Sequence, residues 1–117
     1  MANVFVNKKV DLTSDATTTL YTVPSATTAI IRSILVSDDS GSGSAITITL
    51  TNTSSAVFSI VFSVAFQKPI LANTPTEILT NPLVAESGEI IKVAAANANR
   101  LHVVLSAMQV TPRTVVT

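Results

Sequence analysis

The 117-residue chain has no cysteine and no tryptophan, one tyrosine, one histidine and three glycines. Without cysteine there is neither a disulfide framework nor a thiolate metal site, and the redox compartment leaves no trace. A single histidine leaves most metal and triad chemistry without residues. Charge is equally sparse: seven Lys plus Arg balance seven Asp plus Glu, and charged residues make up 12% of the chain, against roughly 25% in an ordinary soluble protein. The surface of a lone monomer should carry more. With zero net charge and no Lys/Arg-rich run, nucleic acid and membrane surfaces are not expected partners. The longest weakly polar run, Ala56 to Phe66, is eleven residues, whereas a membrane-spanning helix needs about 20. The first residues, Met1 to Lys9, show no basic region followed by an apolar stretch of signal length, so the product is expected to stay where it is made.

What is abundant is β-branched. Thr (17), Val (15) and Ile (10) fill 42 positions, and Ser adds 13, which is strand composition. Two-residue alternation puts successive side chains on opposite faces of a sheet. In Ser44 to Asn52, Ile46, Ile48 and Leu50 point one way and Ala45, Thr47, Thr49 and Thr51 the other. In Ala56 to Phe66, Phe58, Ile60, Phe62, Val64 and Phe66 oppose Val57, Ser59, Val61, Ser63 and Ala65. Asn52 to Ser55 lies between these runs, so the pair reads as a β-hairpin. Phe58, Phe62 and Phe66 are expected in the core.

Further strands are expected over Asn3–Val6, Thr17–Val23, Thr28–Ser37, Glu77–Thr80, Glu89–Ala95 and Leu101–Val110. Pro24, the Asp38–Ser44 stretch and Asn81-Pro82 interrupt them. Gln67–Thr76, with Pro69 and Pro75, is expected to cross between sheets. The alanines of Glu89–Asn97 leave a helical alternative open there. The expected fold is all-β: a single β-sandwich domain over 1–117 with about eight strands, jelly-roll-like, in which the Ile46 and Phe58 faces share one core. Residues 1–10 form an N-terminal arm or strand and residues 111–117 an extended C-terminal arm.

No catalytic constellation emerges. His102 alternates with Leu101 and Val103 on a strand and reads as structural, since no Gly-x-Ser-x-Gly elbow accompanies it. Asp38 and Asp39 precede a Gly-Ser loop without the ligand alternation of a calcium loop, and read as a hydrated turn. Glu77, Glu86 and Glu89 could supply a carboxylate pair, but the chain is too poor in aromatics for a sugar cleft. Gly41 and Gly43 lack the context of a phosphate loop. No enzyme activity, cofactor or metal is expected.

Association has distributed support. Ala56–Phe66 combines high β propensity with no charge and no proline, so something should cover it. It is either a central strand buried inside the monomer or a strand with one face packed on another subunit. Val4, Phe5 and Val6 at one end and Val115 and Val116 at the other suit strand addition on a neighbour, and Lys8 and Lys9 could meet acidic partners or simply be solvated.

Thr19-Leu-Tyr-Thr-Val-Pro24, Thr27-Thr-Ala-Ile-Ile-Arg-Ser-Ile34, Asn81-Pro-Leu-Val84, Ser87-Gly-Glu-Ile-Ile-Lys-Val93 and Leu101-His-Val-Val-Leu-Ser106 follow one another in an order that resembles a family of small β-sandwich virion proteins. The family belongs to tailed bacteriophages, especially those of cyanobacteria and other aquatic bacteria. The resemblance spans roughly residues 13 to 110. The chain departs from the pattern at Ser25-Ala26, where a Gly-containing turn is common, at Gly88-Glu89 in place of Gly-Asp, and at Met108-Gln109-Val110, which lacks an acidic residue. The resemblance implies a non-enzymatic structural role in the virion, in the head, the tail or the baseplate. Together with the single small domain, the sparse charge and the missing catalytic constellation, it leads to the expectation of foremost a decoration or cement protein on the outer capsid surface, made in the host cytoplasm, partnered by the major capsid protein and, since closed homo-oligomers are favoured in general, acting as a trimer. A tail, neck or baseplate component is the first alternative and a carbohydrate- or host-surface-binding module the second. The interface expected to carry assembly is Val4, Phe5, Val6, Lys8, Lys9, Val115 and Val116.

Overall fold

A computed structural model describes residues 2–52 and 60–111. Nine strands are present among them and no helix: β1 (Ala2–Asp11), β2 (Thr18–Thr22), β3 (Thr28–Asp38), β4 (Ser44–Asn52), β5 (Ile60–Ile70), β6 (Pro75–Glu77), β7 (Leu83–Ala85), β8 (Ile90–Ala95) and β9 (Leu101–Thr111). One sheet has the order β1-β9-β3-β6, with β7 also on β3, and the other β2-β8-β4-β5. All pairings are antiparallel. Except at the β4–β5 hairpin and between β6 and β7, each step along the chain changes sheet. With β6 and β7 together taking one strand's place, this is the double-sheet jelly roll.

The core follows from alternation. Leu101, Val103, Leu105 and Ala107 of β9 are buried, as are Ala29, Ile31, Ile34 and Val36 of β3; Ile46 and Ile48 of β4 and Ile91 and Val93 of β8 come from the other sheet. A cross-sheet hydrogen bond joins the layers where Gln109 Nε2 donates to the buried Tyr21 hydroxyl at 2.6 Å.

Several boundaries differ from those expected. The N-terminal strand runs from Ala2 to Asp11 rather than Asn3 to Val6, because β9 gives it ten consecutive partners within its own chain. The expected strand from Ala56 reads instead as β5 over Ile60–Ile70, with residues 53–59 outside the described residues. Pro69 lies inside β5, not in a crossover, which an edge strand tolerates. The crossover is residues 71–74, and β7 is a strand not expected from the sequence. Glu89–Asn97 takes the strand reading, as β8.

The largest correction concerns β5. It is an edge strand, not a central one, and Phe62 and Phe66 are 53% and 69% exposed rather than in the core. Two register shifts against β4, between Ile46 and Ile48 and between Ile48 and Thr49, put extra residues into β5 and break its alternation. Gln67, with φ 48°, takes up the left-handed conformation beside the first of them. Phe58 lies outside the described residues.

Candidate assembly interface

The outer face of the β1-β9-β3 sheet is built by the side chains that alternate with the core. Cross-strand partners share a face, so register alone defines its rows. Phe5 stands opposite Met108, Met108 opposite Ile30, and Ile30 opposite Val84. An apolar row therefore crosses four strands on the side turned away from the core. Phe5 is 78% and Val84 56% exposed, while Met108 and Ile30 are half-buried between them. A second row contains Lys9, Val104, Leu35 and Glu77. Water is a poor neighbour for so continuous an apolar strip, and contiguous patches of this kind mark interaction sites.

Arg32 belongs to this face through a bulge. Ile31 pairs with Ala107 and Ser33 with Ser106, leaving Arg32 as the extra residue of β3. Its side chain is exposed and lines a hollow of about 260 Å³ with Phe5, Asn7 and Ser106, floored by Val6 and Ala107. The bulge is braced by Glu77, whose carboxylate accepts from the Ser33 hydroxyl and from the N–H groups of Ile34 at 2.9 Å and Leu79 at 3.2 Å. A second hollow, of about 370 Å³, lies further along β1 among Lys9, Asp11, His102 and Val104.

At that end His102 is bracketed by carboxylates: Nε2 is 3.2 Å from Asp11 Oδ1 and Nδ1 is 3.7 Å from Asp39 Oδ2. The ring bridges the exit of β1 and the β3–β4 loop. The two acids meet opposite sides of the imidazole, and no group of three metal-ligating side chains occurs among the described residues.

Asp38 departs from the hydrated turn expected of it. It is 3% exposed, and its carboxylate accepts from Ser40 Oγ at 2.6 Å, Ser40 N–H at 2.8 Å and Gly43 N–H at 2.7 Å. The Ser40 hydroxyl, followed by the backbone N–H groups of Ser40, Gly43 and Asn73, holds its pKa down to about 2 against the opposing effect of burial. Gly43 has φ +72°, and a Cβ there would lie 3.0 Å from the Ile70 carbonyl oxygen, so the Asp38 loop closes directly onto the end of β5. Of the glutamates, Glu77 serves the bulge and Glu89 Oε1 accepts from the Glu86 N–H at 2.6 Å.

Five of the expected interface residues lie together on β1. Val4 and Phe5 are exposed, as are Lys8 and Lys9, whereas Val6 turns inward and packs against its own core. Val115 and Val116 lie outside the described residues. Arg32, Ile30, Val84, Leu35, Val104 and Met108 were not singled out from the sequence. One signal was there: the second face of Leu101–Val110 reads His102, Val104, Ser106, Met108, Val110, three of five apolar where a solvated strand would be polar.

No protein-family model matches the chain, and no curated protein matches it by sequence. Among solved structures it is similar to a chain of infectious bursal disease virus, Gx strain, with a TM-score of 0.55 and 13% identity. A chain of the Gt strain of the same virus gives a TM-score of 0.50 and 14% identity. Each likeness covers 93% of this chain and 30% of the other, so the protein spans about a third of those chains. A chain from the capsid asymmetric unit of cyanophage Pam1 gives a TM-score of 0.44 and 15% identity, covering 94% of this chain and 85% of that one. At these identities the likeness to the two bursal disease virus chains is one of fold.

Proposed function

We propose that the protein is a non-enzymatic structural component of a phage virion, a decoration or cement protein that binds the outer capsid surface between major capsid subunits and acts as a homotrimer. The observation that carries this reading is the apolar row Phe5–Met108–Ile30–Val84 on the outer face of a sheet whose other face already holds the core. A monomer gains nothing from such a row, and an assembling subunit gains a docking face. The motif order noted above supports a virion setting, and the solved chains that share the jelly roll come from virus particles.

The mechanism is additive burial. A standard interface hides about 1,600 Å² in total, and each association must first offset a loss of rotational and translational freedom of roughly 4–15 kcal/mol. Many copies, each with a modest surplus, together resist outward pressure on a shell. For the carbohydrate-binding alternative, the chain's one tyrosine is buried and hydrogen-bonded to Gln109, and the exposed aromatics among the described residues are split between edge strands of different sheets, Phe5 on β1 and Phe62 and Phe66 on β5, rather than gathered in one platform. Heads stripped of this protein are expected to lose DNA at lower temperature and weaker osmotic shock than complete heads, and re-addition should restore them. Equal resistance with and without the protein would sink the cement role.

A further inference from the structure

Sheets can grow at their edges, and folded chains usually blunt those edges. Here β6 and β7 have three residues each, β2 has five with a register shift, and β5 has eleven with two shifts. β1 is built differently. Its ten residues pair with β9 one for one, from Ala2–Thr111 to Asp11–His102, with no shift and no proline. As the terminal strand of its sheet, it has no ladder partner on its far side among the described residues. The Asp11 carbonyl alone is engaged elsewhere, accepting from the Thr13 N–H at 2.9 Å.

The two hollows on the outer face lie along this strand. The first takes Phe5, Val6 and Asn7 of β1 into its lining and the second Lys9, Val10 and Asp11, so their β1 walls lie about 14 Å apart at a rise of roughly 3.4 Å per residue. Residues i, i+2 and i+4 of an added strand would follow the same line on the same face.

Charge decides what kind of strand fits. Lys8, Lys9 and Arg32 form no ion pair among the described residues. The nearest acids lie to either side: Asp11 and Asp39 flank His102 at the end of the strand, and Glu77 sits on β6, three strands away. The charge over the middle of β1 is therefore positive. A second copy of β1 would bring the same cations again, whereas an acidic strand would neutralise them.

We propose that β1 receives an extended acidic segment of a partner polypeptide by strand addition. Two carboxylates, two residues apart, stand beside Asn7, toward Arg32 in the first hollow, and beside Lys9, and the apolar side chains that flank them stand beside Phe5 and at the second hollow. The inference rests on the assembly reading only for the identity of the partner, because its test needs no virus particle.

The probe is acetyl-Val-Thr-Glu-Thr-Glu-Thr-Val-amide, which presents the same pattern in either strand direction, titrated against the full chain beside a control with both Glu replaced by Lys. The acidic peptide is expected to bind at least tenfold more tightly, to weaken with salt, and to slow amide exchange along β1. N-methylation of alternate residues on one edge of the peptide should abolish binding, and on the other edge leave it intact. Arg32→Glu with Lys9→Glu, both at exposed positions, should reverse the preference between the two peptides. Equal binding of both peptides, binding of neither, protection on β5 instead of β1, or a free protein that sediments as a dimer with β1 already protected would each overturn the proposal. Failure here leaves the stripped-head experiment free to succeed, and the converse also holds.

Discussion

The two long edge strands solve one problem in opposite ways. β5 closes its edge from within: two bulges, a left-handed Gln67 and Pro69 twist and interrupt the ladder that another chain would need. β1 keeps a regular ladder and carries only Lys8 and Lys9 as guards. Lysines deter indiscriminate pairing but admit an acidic strand, whereas a bulge deters every strand alike. An edge's openness is thus set by backbone regularity, and its selectivity by charge.

The comparison breaks most visibly if the shared core is opened. Ile48→Ala, behind β5, and Leu105→Ala, behind β1, remove fully buried side chains, and each should cost about 2–5 kcal/mol in denaturant unfolding. If the strands are equally well anchored the two losses will be alike; a much smaller loss at Ile48 would show that β5 is already loose.

Acid separates the strands' exits. The β5 exit abuts the loop organised by Asp38, whose folded pKa is lowered from 3.8 to about 2. A depressed carboxylate contributes stability above its unfolded pKa and loses it as pH falls through the folded value. The melting temperature should therefore drop between about pH 4 and pH 2, with exchange at Gly43 and Ile70 accelerating first. Asp38→Asn should flatten that part of the pH profile.

Gln67 sharpens the contrast more gently. A left-handed non-glycine residue costs about 1–2 kcal/mol, and glycine returns roughly 0.5–1 of it as entropy, so Gln67→Gly should stabilise the protein by about 0.5 kcal/mol. No residue of β1 has positive φ, so no glycine substitution there should gain anything. Smallest of all, Phe5→Ser and Phe66→Ser should each change monomer stability by about 0.5 kcal/mol or less, while Phe5→Ser alone weakens peptide binding at β1.

Much of this fold was legible because alternation is a local property. β4 has the bounds that Ile46, Ile48 and Leu50 imply, and the β-strand character of β2, β3, β8 and β9 follows from their own residues. Position within a sheet is not local. The phenylalanines of β5 alternate as faithfully as those of a central strand would, and nothing in that run announces two bulges or an open flank. The candidate interface was half legible for the same reason. Val4, Phe5, Lys8 and Lys9 stand out as end-of-chain residues, but Arg32 shares a hollow with Phe5 only because β9 lies between β3 and β1 and contributes the small Ser106 to it. That adjacency joins residues far apart in sequence, and the bulge that frees Arg32 from the β3–β9 pairing leaves no compositional mark.

The hydrogen bond from Gln109 to Tyr21 also gives the molecule an optical handle. Tyr21 is the chain's one tyrosine, it is buried between the sheets, and there is no tryptophan to drain its excitation. Its emission therefore reports a single place, the seam where β2 meets β9 across the core. A partner strand docking on β1 should leave that light unchanged, whereas anything that parts the two sheets should alter it, so one cuvette can distinguish assembly at the rim from opening of the sandwich.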